Sequence, residues 1–178
     1  ELFDGLEIDH VPGGIVGVAF GVEVVVVFIE SGVVGVAGLD DFGDAMKGYS
    51  DTIIVRLMHE FDGDWYPWCI ANNQQDPQKF IQAYRHIVDR VRQRGAKKIK
   101  WMWCPNSDFV PKESWNWVVD AYPGDAYVDI VATDVYNAHY PANLPWWRSF
   151  RWQTTEIYYY LTKYFPGKPF FICELACR

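Results

Sequence analysis

The chain has 178 residues, half of them hydrophobic, and a formal net charge of −7. That length and apolar content suffice for one domain with its own core and exclude a disordered chain. The acidic balance argues against nucleic acid as a partner, which favours a basic surface, and suits a neutral substrate that needs no attracting field.

The segment from Val11 to Gly38 is mostly Val and Gly, including Val24-Val25-Val26-Val27. Continuous Val runs fit buried parallel strands. The low complexity is unusual for an enzyme, and little else is read from it. The apolar run Gly14 to Ile29 is interrupted by glycines and Glu23. It is short for a membrane span, so no membrane partner is expected. Nothing reads as a signal peptide or lipidation site, and a secreted form is expected to have lost its signal.

From Asp51 onward the pattern sharpens. A buried strand is predicted over Ile53–His59. Asp76 as N-cap and Pro77 at the first helical position open a helix. Its apolar residues Phe80, Ile81, Tyr84, Ile87, Val88 and Val91 recur at helical spacing, and Gly95 closes it. Ile99–Trp103 is the next strand, Pro111–Ala121 a short helix and Val128–Thr133 a third strand. Ser149–Tyr164 is a helix bounded by Pro166-Gly167, and Phe170–Cys173 is a fourth strand. Strands alternating with helices predict an α/β chain with a parallel sheet. A (β/α)8 TIM barrel, with its site at the carboxyl ends of the strands, is the expected architecture. A doubly wound sheet is the alternative, weakened because no GxGxxG follows any strand.

Cys69, Cys104, Cys173 and Cys177 form no CxxC pair and have no His at zinc spacing. They read as small apolar residues or as one bridge. The aromatics say more. Nine Trp exceed what a core of this size needs, and indole faces stack on sugar rings.

The strongest segment runs from Arg56 through His59-Glu60-Phe61-Asp62-Gly63-Asp64-Trp65-Tyr66-Pro67-Trp68. It sets Glu60 at the end of a buried strand, followed by a loop with two Trp. Strand alternation would point Arg56, Met58 and Glu60 the same way, with His59 opposite. A salt bridge to Arg56 is the bland account of Glu60. Pro169 to Ala176 repeats the arrangement, with Phe170, Ile172 and Glu174 expected on one face. Two strand-end carboxylates on one parallel sheet suit glycoside hydrolysis. One protonates the leaving oxygen and the other attacks the oxocarbenium-like centre, the two lying about 5–5.5 Å apart in retaining enzymes.

With Trp101-Met102-Trp103-Cys104-Pro105-Asn106 and the stretch from Tyr122-Pro123-Gly124-Asp125 to Asp134-Val135-Tyr136, these motifs resemble glycoside hydrolase family 26. That family contains endo-β-1,4-mannanases and β-1,3-1,4-glucanases and belongs to the retaining (β/α)8 clan. The resemblance covers about Gly38 to Arg178. It implies Glu60 as acid/base and Glu174 as nucleophile, with Tyr136 hydrogen-bonded to the latter. It further implies that Trp65 forms an aromatic wall and that His59 and Asp134 line the site. Arg56 is expected to support Glu174, which needs hydrogen-bond donors to stay ionised. Trp68 and Trp103 are expected to bind substrate, at least one of them facing the cleft. Trp115, Trp117, Trp146 and Trp147 carry no assignment.

The resemblance implies a β-linked polysaccharide or oligosaccharide as partner, no cofactor and an extracellular location. Endo-1,4-β-mannanase is the leading expectation, with a β-1,3-1,4-glucanase as alternative. The chain departs from the family in length. Strand eight would follow Glu174, and the first 51 residues are too few for three βα units. The expectation is one partial catalytic domain over residues 1–178, a piece of a larger unit. Two other function classes compete. A non-catalytic carbohydrate-binding barrel would keep the Trp residues and lose one Glu. A metal-dependent hydrolase would use His59, Asp62 and Asp64, but no second strand supplies another His.

Overall fold

The computed structural model describes the backbone of residues 16–19, 24–28, 36–137 and 148–177, with side chains from 38 to 137 and 148 to 176. Trp146 and Trp147 and the Cys177 side chain lie outside the described residues, as does most of the Val/Gly-rich segment. Six strands form one sheet in chain order: β1 (Val16–Ala19), β2 (Val24–Phe28), β3 (Ile53–Arg56), β4 (Ile99–Trp103), β5 (Ile130–Asn137) and β6 (Phe170–Cys177). The strands β2 to β6 are all parallel to their neighbours, as crossover helices require. β1 is the exception and pairs antiparallel with β2. The all-parallel reading of the Val-rich run therefore fails at its first strand.

Among the described residues, three helices form crossovers: α1 (Val36–Lys47), α2 (Pro77–Gln93) and α3 (Phe150–Tyr164). α2 starts where Asp76 accepts the Gln78 N–H at 2.9 Å, with Pro77 following it. The chain leaves the helix at Gly95, whose φ of +94° favours glycine. Phe80, Tyr84, Val88 and Val91 of α2 bury against Ile53, Val55 and Leu57, Trp101 and Trp103, and Val131. Ile157 and Leu161 of α3 join the same core. The opposite sheet face carries a smaller apolar cluster of Ile54, Met102, Cys104, Ile130 and Ala132. The sheet is thus sandwiched in the manner of a barrel wall, helices outside and a packed lumen inside.

Three boundaries differ from expectation in ways that matter. β3 ends at Arg56, not His59, because Met58 and Glu60 take φ of 47° and 51°. β5 and β6 instead run on past their predicted ends, to Asn137 and Cys177. Pro111–Ala121 is two 3-10 turns, Ser114–Asn116 and Val118–Ala121, broken where Trp117 becomes extended at ψ 120°.

Candidate active site

The site forms where the carboxyl ends of β3, β5 and β6 meet. Arg56, the last residue of β3, is wholly buried. Its Nη1 donates to both oxygens of Asp134 on β5 at 2.6 Å, and its Nη2 donates to Glu174 on β6. Tyr136, two residues beyond Asp134, donates its hydroxyl to the other oxygen of Glu174. Alternation along β5 explains why Asp134 and Tyr136 share a face with Ala132.

Glu174 reaches that face by an irregularity. Residues 131–133 pair with 170–172, but Asp134 pairs with Glu174, so one residue of β6 is extra. Such a bulge re-aims every side chain beyond it. Glu174 therefore does not share a face with Phe170, which packs against the helix-side core. It falls on the side of Phe171, the partner of Ala132.

Glu60 also arrives by irregular backbone rather than strand alternation. Its amide donates to the Cys104 carbonyl at 2.8 Å, so the chain still tracks β4 while turning. Met58 joins the helix-side core, so Arg56, Met58 and Glu60 do not point together. Left-handed backbone at non-Gly residues costs about 1–3 kcal/mol each and collects at functional sites. The Glu60 carboxyl is buried. It accepts the Trp65 indole N–H at 2.8 Å and, on its other oxygen, the Asn106 amide at 3.4 Å.

The two glutamates therefore have different neighbours. Burial raises the Glu60 carboxyl; the Trp65 hydrogen bond pulls it down, while the charge of Glu174 pushes it further up. Burial also pushes Glu174 up, but hydrogen bonds from Tyr136 and Arg56 overcome it and leave it lowered. Asp134 is pushed up to about 7 by burial against the pull of Arg56. His59 is buried beside the Tyr66 and Trp68 rings, 4.9 and 6.0 Å between centroids. Burial and then Arg56 lower it to about 4, so it is neutral near pH 7.

His59, Asp134 and Glu174 offer ligand atoms within 4.8 Å of one another. Parity set His59 on the wrong face; the turn brings it in. This grouping is not the His59, Asp62 and Asp64 set that a metal hydrolase reading needed. Asp62 is buried with Oδ1 accepting the backbone N–H of Asn106 at 2.8 Å, and Asp64 is exposed.

The tryptophans divide sharply. Trp65 is 43% exposed with its N–H on Glu60. Trp68 is half-buried, stacks on Tyr66 at 4.5 Å and donates to the His59 carbonyl at 2.8 Å. It holds the loop. Trp103 contradicts the expectation of a substrate contact. It is wholly buried among Phe61, Tyr122 and Phe165, because strand alternation puts it on the helix side with Trp101. Trp115 and Trp117 are half-buried, and Trp117 packs edge-on to Tyr160. Asn106 was not singled out from sequence, although an Asn just past a strand end beside a strand-end Glu was the available signal.

Comparison with known proteins identifies the family. The family described as Glycosyl hydrolase family 26 matches residues 34–168. Endoglucanase H of Acetivibrio thermocellus is 37% identical over 136 residues, 74% of this chain and 14% of that protein. A mannan endo-1,4-beta-mannosidase of Bacillus subtilis is 29% identical over 98 residues, 51% of this chain and 25% of that protein. The YdhT protein from Bacillus subtilis superposes with a TM-score of 0.58 at 25% identity, over 80% of this chain and 39% of its own. The chain thus spans a minor part of these relatives' lengths, and its curled parallel sheet corresponds to part of a (β/α)8 barrel. On a family match that covers most of its length, the chain belongs to glycosyl hydrolase family 26.

Proposed function

We propose that this chain carries the catalytic pair of a retaining endo-β-glycanase acting on β-1,4-mannan. The observation that carries the reading is the unequal surroundings of two carboxylates at one sheet end. Glu60 is buried with neutral donors, and Glu174 is gripped by Arg56 and Tyr136. Such a division assigns proton donation to one and attack to the other.

In the first step Glu60 gives its proton to the glycosidic oxygen as the C1–O bond breaks. An oxygen of Glu174 bonds to C1 and forms a glycosyl ester. In the second step Glu60, now a carboxylate, takes a proton from water while the water oxygen bonds to C1 and the ester bond breaks. Two inversions return the original anomer. Trp65, half in solvent beside Glu60, offers a ring face for the sugar. The proposed site of action is extracellular, where a polysaccharide is met.

The match to Endoglucanase H is longer and closer than that to the Bacillus subtilis mannosidase, and this favours β-glucan as a second reading. Product release from mannan, barley glucan and xylan decides between the two. Glu174→Ala should abolish turnover on all of them. Glu60→Ala should lose less on dinitrophenyl glycosides, whose leaving group needs no proton, and azide should yield a β-glycosyl azide. An inverted product by NMR, or full activity in Glu174→Ala, overturns the mechanism.

A further inference from the structure

We propose that Cys104, Cys173 and Asp134 form a binding site for a thiophilic metal ion, beneath the carboxylates and inside the sheet's concave face. Cys104 follows β4 directly and is wholly buried in the lumen cluster, and Cys173 packs against that same cluster. One ligand atom from each of Cys104, Cys173 and Asp134 lies within 4.8 Å of the others. A fourth donor, the third soft one, stands at hand: the Met102 sulfur, 3.1 Å from the Cys173 thiol. Two thiols, a thioether and a carboxylate suit Cu(I), Zn²⁺ or Cd²⁺ better than a hard cation.

The placement of the two cysteines on non-adjacent strands favours an ion over a disulfide. Sulfurs on a tetrahedral ion with bonds of about 2.3 Å stand about 3.8 Å apart, whereas a disulfide needs about 2.05 Å and closer backbones. β4 and β6 are not neighbours; β5 runs between them. A shared ion bridges that gap with side-chain movement alone. On binding, each S–H bond breaks, each sulfur bonds to the ion, and the protons leave to solvent.

Occupancy has a consequence for the carboxylates above. Asp134 is held on both oxygens by Arg56. An ion that takes one oxygen weakens that grip, and Cys173 is the residue before Glu174. The ion should therefore slow turnover, a consequence that rests on the proposed function; binding itself does not.

The test is a titration of the reduced chain with Cd²⁺, following the thiolate-to-cadmium charge-transfer absorbance. One equivalent should saturate the band. It should vanish in C104S and in C173S and persist in C69S and C177S, with thermal melts confirming that each variant is folded. Cd²⁺ should also raise the melting temperature of the parent chain but not of C104S or C173S. C104A and C173A serve if a serine variant does not fold. No band in the parent, a band surviving in both C104S and C173S, or its loss in C69S or C177S overturns the site. A bound ion that leaves polysaccharide turnover unchanged, in a chain shown to be active, overturns the inhibitory consequence alone.

Discussion

Replacing Asp62 with Asn should stabilise the fold, increasingly so as pH rises. The side chain is wholly buried two residues past Glu60. Oδ1 accepts the backbone N–H of Asn106 at 2.8 Å, while Oδ2 has no hydrogen-bond partner among the described residues. Asn116, which donates to the Asp62 carbonyl at 2.7 Å, likewise has an unpartnered buried oxygen among the described residues. A proton on Asp62, or the amide of an Asn, supplies a donor to that oxygen-rich corner. Burial, against the pull of the backbone hydrogen bonds, pushes the carboxyl up to about 8. In the unfolded chain an Asp titrates near 3.9.

The folded state thus binds the proton more tightly than the unfolded state. The associated stability is fully present below about pH 4 and falls as pH rises, levelling only above about pH 8. At about 1.4 kcal/mol per tenfold change in proton affinity, the total reaches roughly 6 kcal/mol. That is an upper bound, because water entry and relaxation reduce it. Asn is neutral throughout and keeps the shape. Urea unfolding of both proteins at intervals from about pH 4 to pH 8 gives the difference directly. It should be near zero at the acid end and grow to a few kcal/mol at the alkaline end. A difference that stays flat with pH refutes the protonated carboxyl.

Tyr136→Phe removes one of the two donors on Glu174. A hydrogen bond to a charged group contributes about 1.5–3 kcal/mol, so kcat should fall about tenfold to a hundredfold with little change in thermal stability. Gly63→Ala should act through Trp65, because a Cβ there would sit 2.5 Å from the indole ring. Displacing that indole should raise KM, and an unchanged KM would show the ring free to shift. Trp65→Ala should weaken substrate handling more than folding, whereas Trp103→Ala should cost about 3–5 kcal/mol of stability by emptying the helix-side core. Equal stability losses in the two variants would contradict the division between cleft and core. Arg56→Met leaves Asp134 buried without its cation and should cost about 3–5 kcal/mol, part of it recovered in a double variant with Asp134→Asn. Strictly additive urea midpoints for the pair would refute that coupling.

The parallel strands and the α2 and α3 crossovers were legible because they are regular. The short apolar run of β4, the Asp76-Pro77 start of α2 and its helical apolar spacing each follow from local rules. Strand alternation also held the information that Trp103 faces the helices, since Trp101 and Trp103 share a face opposite Met102 and Cys104. The face of Glu174 was not legible. It depends on one extra residue in β6, and a bulge is a property of the pairing between strands rather than of either sequence. The directions of Met58 and His59 were hidden for a related reason. Met58 and Glu60 take left-handed backbone that neither residue type prefers, held by contacts such as the Glu60 amide on the Cys104 carbonyl.

Those two irregularities together set the chemistry apart from the scaffold. A regular β3 continuing to Glu60 and a regular β6 continuing to Glu174 would follow the alternation of their own strands, with no common target. The left-handed turn carries Glu60 toward Trp65 and Asn106, two uncharged donors. The bulge carries Glu174 onto Arg56 and Tyr136. Arg56 needs no such device, because it still belongs to β3 and lies on the lumen face beside Met102. The rigid strand thus supplies the fixed cation, and the deformed segments deliver the two carboxyls to their separate donors. Their acid strengths diverge because burial raises Glu60, while the hydrogen bonds from Tyr136 and Arg56 outweigh burial at Glu174.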